Sequence, residues 1–242
     1  MILKINHVVY NMYPKVRTVE TTSLSLKEKA YAIIKSKIAS CEYLPNTFLN
    51  EGFLQNEIGV SRTPIRDAIS RLEQENLVRI IPKKGIVVSD LSINEISSVY
   101  EIRALIEPFA ITKYGDKVDK EILLRYKNDF SGMQDAPDSL YRMDDRMHRI
   151  FISATQNRYL IQMYDNILVQ NGRIRILSGN RNESRIAQSS AEHVKILEAA
   201  LSDRFDLAAQ FMMEHLQAAK NAAFALVVSN GGWEIPQPRG EE

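Results

Sequence analysis

The sequence predicts a mainly α protein: an N-terminal winged helix–turn–helix followed by a C-terminal antiparallel all-α bundle. Three observations carry this. Residues 26–75 hold three helical segments, with a tight turn between the second and third. Two short β-prone runs, 77–81 and 85–88, follow at once. From about residue 93 the β signals vanish and the helical period runs through six more segments.

The first helix is expected over Leu26–Ala39, where Ala30, Ile33, Ile34 and Ile38 share one face. Ser25 is its expected N-cap, with Glu28 completing a capping box. A short helix over Glu51–Ile58 should stop at Gly59. The third should start after Ser61 as N-cap, carry Pro64 in its first turn and end near Glu75, with Asn76 as left-handed cap. Ile65, Ala68, Ile69 and Leu72 form its core-facing stripe. Pro82-Lys83-Lys84-Gly85 joins the two β runs into a hairpin with a basic tip. The later helices are expected near 94–114, 119–133, 138–155, 158–178, 184–201 and 204–229, with Asp119, Asp138 and Asp203 as N-caps. This divides the chain into an arm at 1–22 (disordered, or a strand pairing elsewhere), a DNA-binding domain at 23–90, a helical domain at 93–229 and a breaker-rich, flexible tail at 230–242.

Composition excludes several classes. At 45% hydrophobic and 25% charged, the 242 residues suit a globular protein with a sizeable core. No run approaches the roughly 18 apolar residues of a membrane span, and Lys4, Asn6, His7 and Asn11 interrupt any signal-peptide core. The lone Cys41, expected as a half-buried helix residue, fits a reducing compartment, so a cytoplasmic location is expected. A net charge of +1 means that nucleic-acid binding needs a local basic face. Residues 23–90 carry 10 Lys+Arg against 8 Asp+Glu, with the acids mostly away from the third helix's start and the hairpin tip.

That start is where DNA chemistry concentrates. Arg62 and Arg66, four apart, share a face near the helix N-terminus and suit guanine edges or phosphates. Ser61, Thr63 and the free N–H groups beside Pro64 can hold a phosphate. Lys84 and Gly85 suit a slim wing entering a neighbouring groove. On spacing alone, the arginine pair also fits a merely solvated helix face. The strings Leu49-Asn50-Glu51, Ile58-Gly59-Val60-Ser61-Arg62-Thr63-Pro64-Ile65-Arg66-Asp67-Ala68-Ile69 and Lys84-Gly85-Ile86-Val87-Val88 resemble the N-terminal domain of the GntR family of bacterial transcription regulators. The resemblance implies DNA contacts by Arg62, Arg66 and Gly85. It departs at Gly52, where the family usually carries a further DNA-contacting arginine.

In the helical half, Asp144 and His148 lie i and i+4 on one face, while His193 and His215 share faces with apolar neighbours. A carboxylate and three imidazoles from three helices suit Zn²⁺, Ni²⁺ or Mn²⁺; separately, each histidine also fits a core residue bonded to a backbone carbonyl. Tyr100-Glu101-Ile102-Arg103-Ala104-Leu105-Ile106-Glu107, Asp144–His148, Glu192-His193-Val194-Lys195-Ile196-Leu197-Glu198-Ala199 and Asp206-Leu207-Ala208-Ala209 up to His215-Leu216 resemble the helical FCD ligand-binding domain of the FadR subgroup. Its metal-carrying branch matches at Asp144, His148, His193 and His215, with Met147 where that family often has Phe. The resemblance implies a divalent metal, zinc first, and a small carboxylate effector bound near it. Arg103 is a candidate for the effector carboxylate, or else an intrahelical partner of Glu107; Arg173 and Arg175, after Gly172, are further candidates. Asn157 is expected as a helix C-cap.

The expected function is an effector-controlled homodimeric DNA-binding regulator, a repressor, bound to double-stranded operator DNA. A metal sensor in which the ion is itself the signal stays open. A metal-dependent hydrolase would need Glu192 as its base, but Glu192 cannot face a metal that the adjacent His193 faces on the same helix.

Overall fold

The computed structural model describes residues 25–132, 137–177 and 183–229. The expected arm at 1–22 and tail at 230–242 lie outside them. The chain divides into two compact units, with the boundary between Asp90 and Leu91.

The first unit contains α1 (Leu26–Ala39), β1 (Phe48–Leu49), α2 (Glu51–Ile58), α3 (Arg62–Gln74), β2 (Val78–Ile81) and β3 (Gly85–Val88). The Ser25–Glu28 capping box forms as expected. Gly59 (φ 73°) and Asn76 (φ 58°) take the left-handed positions that end α2 and follow α3. Ser61 stands at the N-cap of α3 but makes no side-chain capping bond. Cys41, expected as a half-buried helix residue, is instead buried, and it lies past α1 in a turn at φ 55°.

The sheet is antiparallel with order β1-β3-β2, pairing Ile80 with Ile86 and Phe48 with Val87. The hairpin turns where Lys84 N–H bonds the Ile81 carbonyl at 3.0 Å, with Lys83 at φ 64°. Gly85 sits at φ 114°, and a Cβ there would lie 3.1 Å from the Leu49 carbonyl oxygen. Pairing with β1 therefore requires this glycine. Ala30, Ile34, Ile38, Leu54, Ile65, Leu72 and Val88 close the core between helices and sheet.

The second unit is all-helical: α4 (Ile93–Tyr114), a 3₁₀ turn (Gly115–Lys117), α5 (Lys120–Gly132), α6 (Pro137–Ala154), α7 (Arg158–Leu177), α8 (Glu183–Leu201) and α9 (Phe205–Ser229). α9 packs against α4 and α8, α8 against α5, and α6 against α4 and α7. The apolar stripes meet in one core that includes Ile96, Ile111, Met147, Phe151, Tyr164, Ile196, Leu197 and Met212. No described helix is long and apolar enough to cross a membrane.

Three expected caps differ. Asp138 lies inside α6, whose described residues begin at Pro137. Asp203 is left-handed (φ 59°) after α8 and pairs with Lys120 at 2.6 Å. Asn157 caps the start of α7, accepting from Tyr159 N and Leu160 N, while Gln156 (φ 53°) takes the left-handed position after α6. Asp119 does cap α5, accepting from Glu121 N at 2.8 Å.

Candidate metal centre and nucleic-acid interface

Asp144 and His148 come from α6, His193 from α8 and His215 from α9. The structure brings all four together, with one ligand atom of each within 4.8 Å of the others. His193 Nε2 lies 3.3 Å from both His148 Nε2 and His215 Nε2, and 3.0 Å from Asp144 Oδ1. His148, His193 and His215 are at most 3% exposed.

Two carboxylates stand behind the imidazoles. Glu107 Oε2 lies 2.6 Å from His148 Nδ1, and Glu192 Oε2 lies 2.7 Å from His215 Nδ1. Burial alone would raise both acids. Arg103 and His148 beside Glu107, and His215 and Arg185 beside Glu192, outweigh it and hold each at about 2. An ionised carboxylate only accepts, so each Nδ1 is the donor, and a ring that carries only that proton presents a lone pair at Nε2. Burial lowers His193, and burial with neighbouring His193 brings His215 down to about 3. Asp144 sits well below the usual carboxylate range despite burial, because Arg175 and the imidazoles favour its charge.

A proton on His193 Nε2 can serve only one at a time of Asp144 Oδ1 and the two facing imidazole lone pairs, and protonating all the rings would bring like charges together. A cation at the centre resolves both conflicts, so the residues present fit a divalent metal. Nδ1 of His193 is buried with no hydrogen-bond partner among the described residues; the ring instead packs on Phe130, centroids 4.5 Å apart.

A cavity of about 60 Å³ opens beside the cluster, lined in part by Arg103, Arg175 and Arg185. Arg103 forms the intrahelical pair with Glu107 that one sequence reading expects, and it also lines the cavity. Its Nε pairs with Glu107 at 2.6 Å, its Nη1 donates to Asn171 at 3.0 Å, and its buried Nη2 has no partner among the described residues. Arg175 holds Asp144 Oδ2 at 2.7 Å and also pairs with Asp145. It therefore braces a metal-ligand candidate from the cavity wall. Arg173 is buried, donates to Gln170 at 2.6 Å, and is not among the cavity-lining residues. The sequence assigned Glu107 only to Arg103 and offered no partner for Glu192. Helical geometry did turn Glu192 away from the face of His193, and that is the direction of His215.

In the first unit, Arg62, Thr63 and Arg66 are exposed at the start of α3, as are Lys83 and Lys84 on the hairpin tip. Pro64 and Gly85 are half-buried, and Ser61 is exposed with its hydroxyl uncommitted to a cap. Arg66 Nε pairs with Glu51 at 2.7 Å, bridging α2 and α3. At the other end of α3, Glu75 accepts from Tyr31 (2.7 Å) and pairs with Lys35 (2.6 Å) on α1. α3 is thus braced at both ends while its polar N-terminal face stays open.

Residues 26–88 match the bacterial regulatory proteins of the gntR family, and residues 98–218 match the FCD domain. The chain belongs to the GntR family of regulators. Among GntR-family relatives, it is 30% identical over 183 residues to the Nta operon transcriptional regulator of Aminobacter aminovorans, covering 74% of this chain and 85% of that protein. It is 22% identical to the HTH-type transcriptional repressor RspR of Escherichia coli (strain K12), covering 89% and 98%. Among solved structures, it is similar to the Zn²⁺-bound FCD domain of TM0439, with 25% identity, a TM-score of 0.51 and coverage of 58% of this chain and 99% of that one. As a GntR regulator with an FCD domain, the chain is a DNA-binding transcriptional regulator and not an enzyme.

Proposed function

We propose that this regulator is a homodimeric repressor whose operator affinity is set by a small carboxylate bound beside a divalent metal in its FCD unit. The observation that carries this is the buried cluster of Asp144, His148, His193 and His215, opening onto an arginine-lined cavity. Zinc leads, given the imidazole-rich ligand set and the zinc-bound relative; nickel and manganese accept the same donors. Repression draws support from the repressor among the relatives.

On DNA, Arg62 and Arg66 read base edges or grip phosphates in the major groove, Ser61, Thr63 and the first N–H groups of α3 near Pro64 hold the backbone, and Lys84 with Gly85 forms the wing contact. Two copies engage half-sites about one helical turn apart. The effector acts by favouring one of the chain's conformations, in proportion to its differential affinity for them. Within the FCD unit, His148, His193, His215 and Asp144 would hold the ion, and Glu107, Glu192 and Arg175 orient them. The ion supplies a fixed positive charge beside the cavity.

The test is a fluorescence titration, at fixed salt, of an operator selected from randomised duplex DNA. Zinc-loaded protein should change operator affinity when acetate, glycolate, malonate or succinate is added. If zinc and its chelation alone shift affinity and no carboxylate does, the ion is the signal. If neither shifts it, control through this site is wrong.

A further inference from the structure

Duplex DNA carries one negative charge per about 1.7 Å of helix axis, so an acid beside a DNA-contacting arginine works against attraction. Glu51 is such an acid. It opens α2, and its Oε1 accepts from Nε of Arg66 on α3 at 2.7 Å. The Glu51 side chain is 32% exposed and that of Arg66 68%, so the pair lies at the surface on the polar side of α3.

Glu51 is itself held in place. Asn50 caps α2 by accepting from Phe53 N at 2.7 Å. Leu54 and Ile58 bury the inner face of α2, and Glu57 at its far end pairs with Lys37 on α1 at 2.7 Å. The carboxylate is thus presented to Arg66 from a helix fixed at both ends. Arg62, the other arginine on this face of α3, makes no ion pair among the described residues.

Two consequences follow for Arg66. With Nε engaged, Nη1 and Nη2 carry no hydrogen bond among the described residues. They remain as a planar fork of two donors, which matches the O6 and N7 acceptors of guanine. Holding one edge of the guanidinium also removes freedom that would otherwise be lost on binding. Charge acts in the same direction. The Arg66–Glu51 pair is neutral as a unit, so it gains little from a phosphate, whereas hydrogen bonds to an uncharged base edge keep their value.

We infer that Glu51 is a specificity-determining positioning residue: it aims the terminal nitrogens of Arg66 at one base pair in each half-site and withholds this arginine from phosphates. The inference rests on the DNA-facing reading of α3 above.

The test selects operators from randomised duplex DNA with the full-length wild type, Arg66→Ala and Glu51→Ala, then titrates each protein with the wild-type operator and a scrambled duplex at several salt concentrations. Arg66→Ala should relax the preference at one base pair per half-site, and Glu51→Ala should relax it at that same base pair. Glu51→Ala should lower the preference for operator over scrambled DNA about fivefold or more, while scrambled DNA binds as tightly as before or more tightly, with a salt dependence steeper by up to about one phosphate contact. In the Arg66→Ala background, Glu51→Ala should change that preference by less than about twofold. A merely structural role would weaken operator and scrambled DNA alike, and that result overturns the inference. So does a relaxed base pair different from the one that Arg66→Ala relaxes, or none. If Arg66→Ala itself leaves operator selection unchanged, this inference and the recognition face fall together; if only Glu51→Ala does, this inference falls alone.

Discussion

Glu107 accepts a 2.6 Å hydrogen bond from His148 Nδ1, with both side chains essentially inaccessible to water. The same carboxylate pairs with Arg103 and accepts from Tyr164 at 2.8 Å. One buried acid on α4 thereby joins a metal-ligand candidate to the arginine at the cavity wall.

Glu107→Gln should expose that link. The amide keeps the shape and still accepts from His148, but it no longer neutralises Arg103 or strengthens the imidazole as a ligand. Zinc affinity, measured by chelator competition, should fall about 10–100-fold. An unchanged affinity would mean that Glu107 serves packing alone.

At the proposed recognition face of α3, Arg62→Ala and Arg66→Ala should each weaken specific operator binding roughly tenfold or more at fixed salt, with circular dichroism unchanged. Both side chains are exposed, and the Arg66–Glu51 bridge between α2 and α3 is a surface ion pair worth about 0–1 kcal/mol, so the fold should survive either change. Equal operator affinity in both variants would remove the assigned recognition face.

Gly52 lies in the first turn of α2, where an added Cβ would meet only Asn50 Oδ1, at 3.4 Å. Gly52→Arg therefore has room, and it places a cation where the sequence resemblance leads one to expect it. Operator affinity should rise and the salt dependence steepen by about one phosphate contact. The helix should also gain up to about 1 kcal/mol from losing glycine. A gain in stability without a gain in DNA affinity would show that α2 lies away from the DNA backbone.

Leu72 is fully buried on the core face of α3, opposite the polar face that carries Arg62 and Arg66. Leu72→Ala should cost about 2–5 kcal/mol, through lost burial and an incompletely collapsed cavity. Urea unfolding of the N-terminal unit provides the measurement, and a loss below about 1 kcal/mol would contradict this packing role.

Much of this architecture was legible because apolar spacing is a local signal. All six helices of the second unit lie close to where their periodicity put them, and the stripe of Ile65, Ala68, Ile69 and Leu72 is buried as expected. Caps were less legible. An aspartate near the start of a helical run can occupy the cap, as Asp119 does, or lie within the helix, as Asp138 does, and sequence does not separate them. β1 escaped notice because two residues show no alternation; Phe48 and Leu49 become a strand only by pairing with Val87 and Ile86. The four clustered residues were legible as types on helix faces. Their carboxylate partners were not, because Glu107 on α4 reaches His148 on α6, and Glu192 on α8 reaches His215 on α9, only after these four helices have packed.

The most direct measurement is a crystal structure of the zinc-loaded full chain with anomalous data at the zinc edge. The expected result is one peak per chain, about 2.0–2.2 Å from Nε2 of His148, His193 and His215 and from a carboxylate oxygen of Asp144. An anomalous peak elsewhere, or none among these four residues with stoichiometric zinc present, would contradict the metal centre and the effector control built upon it.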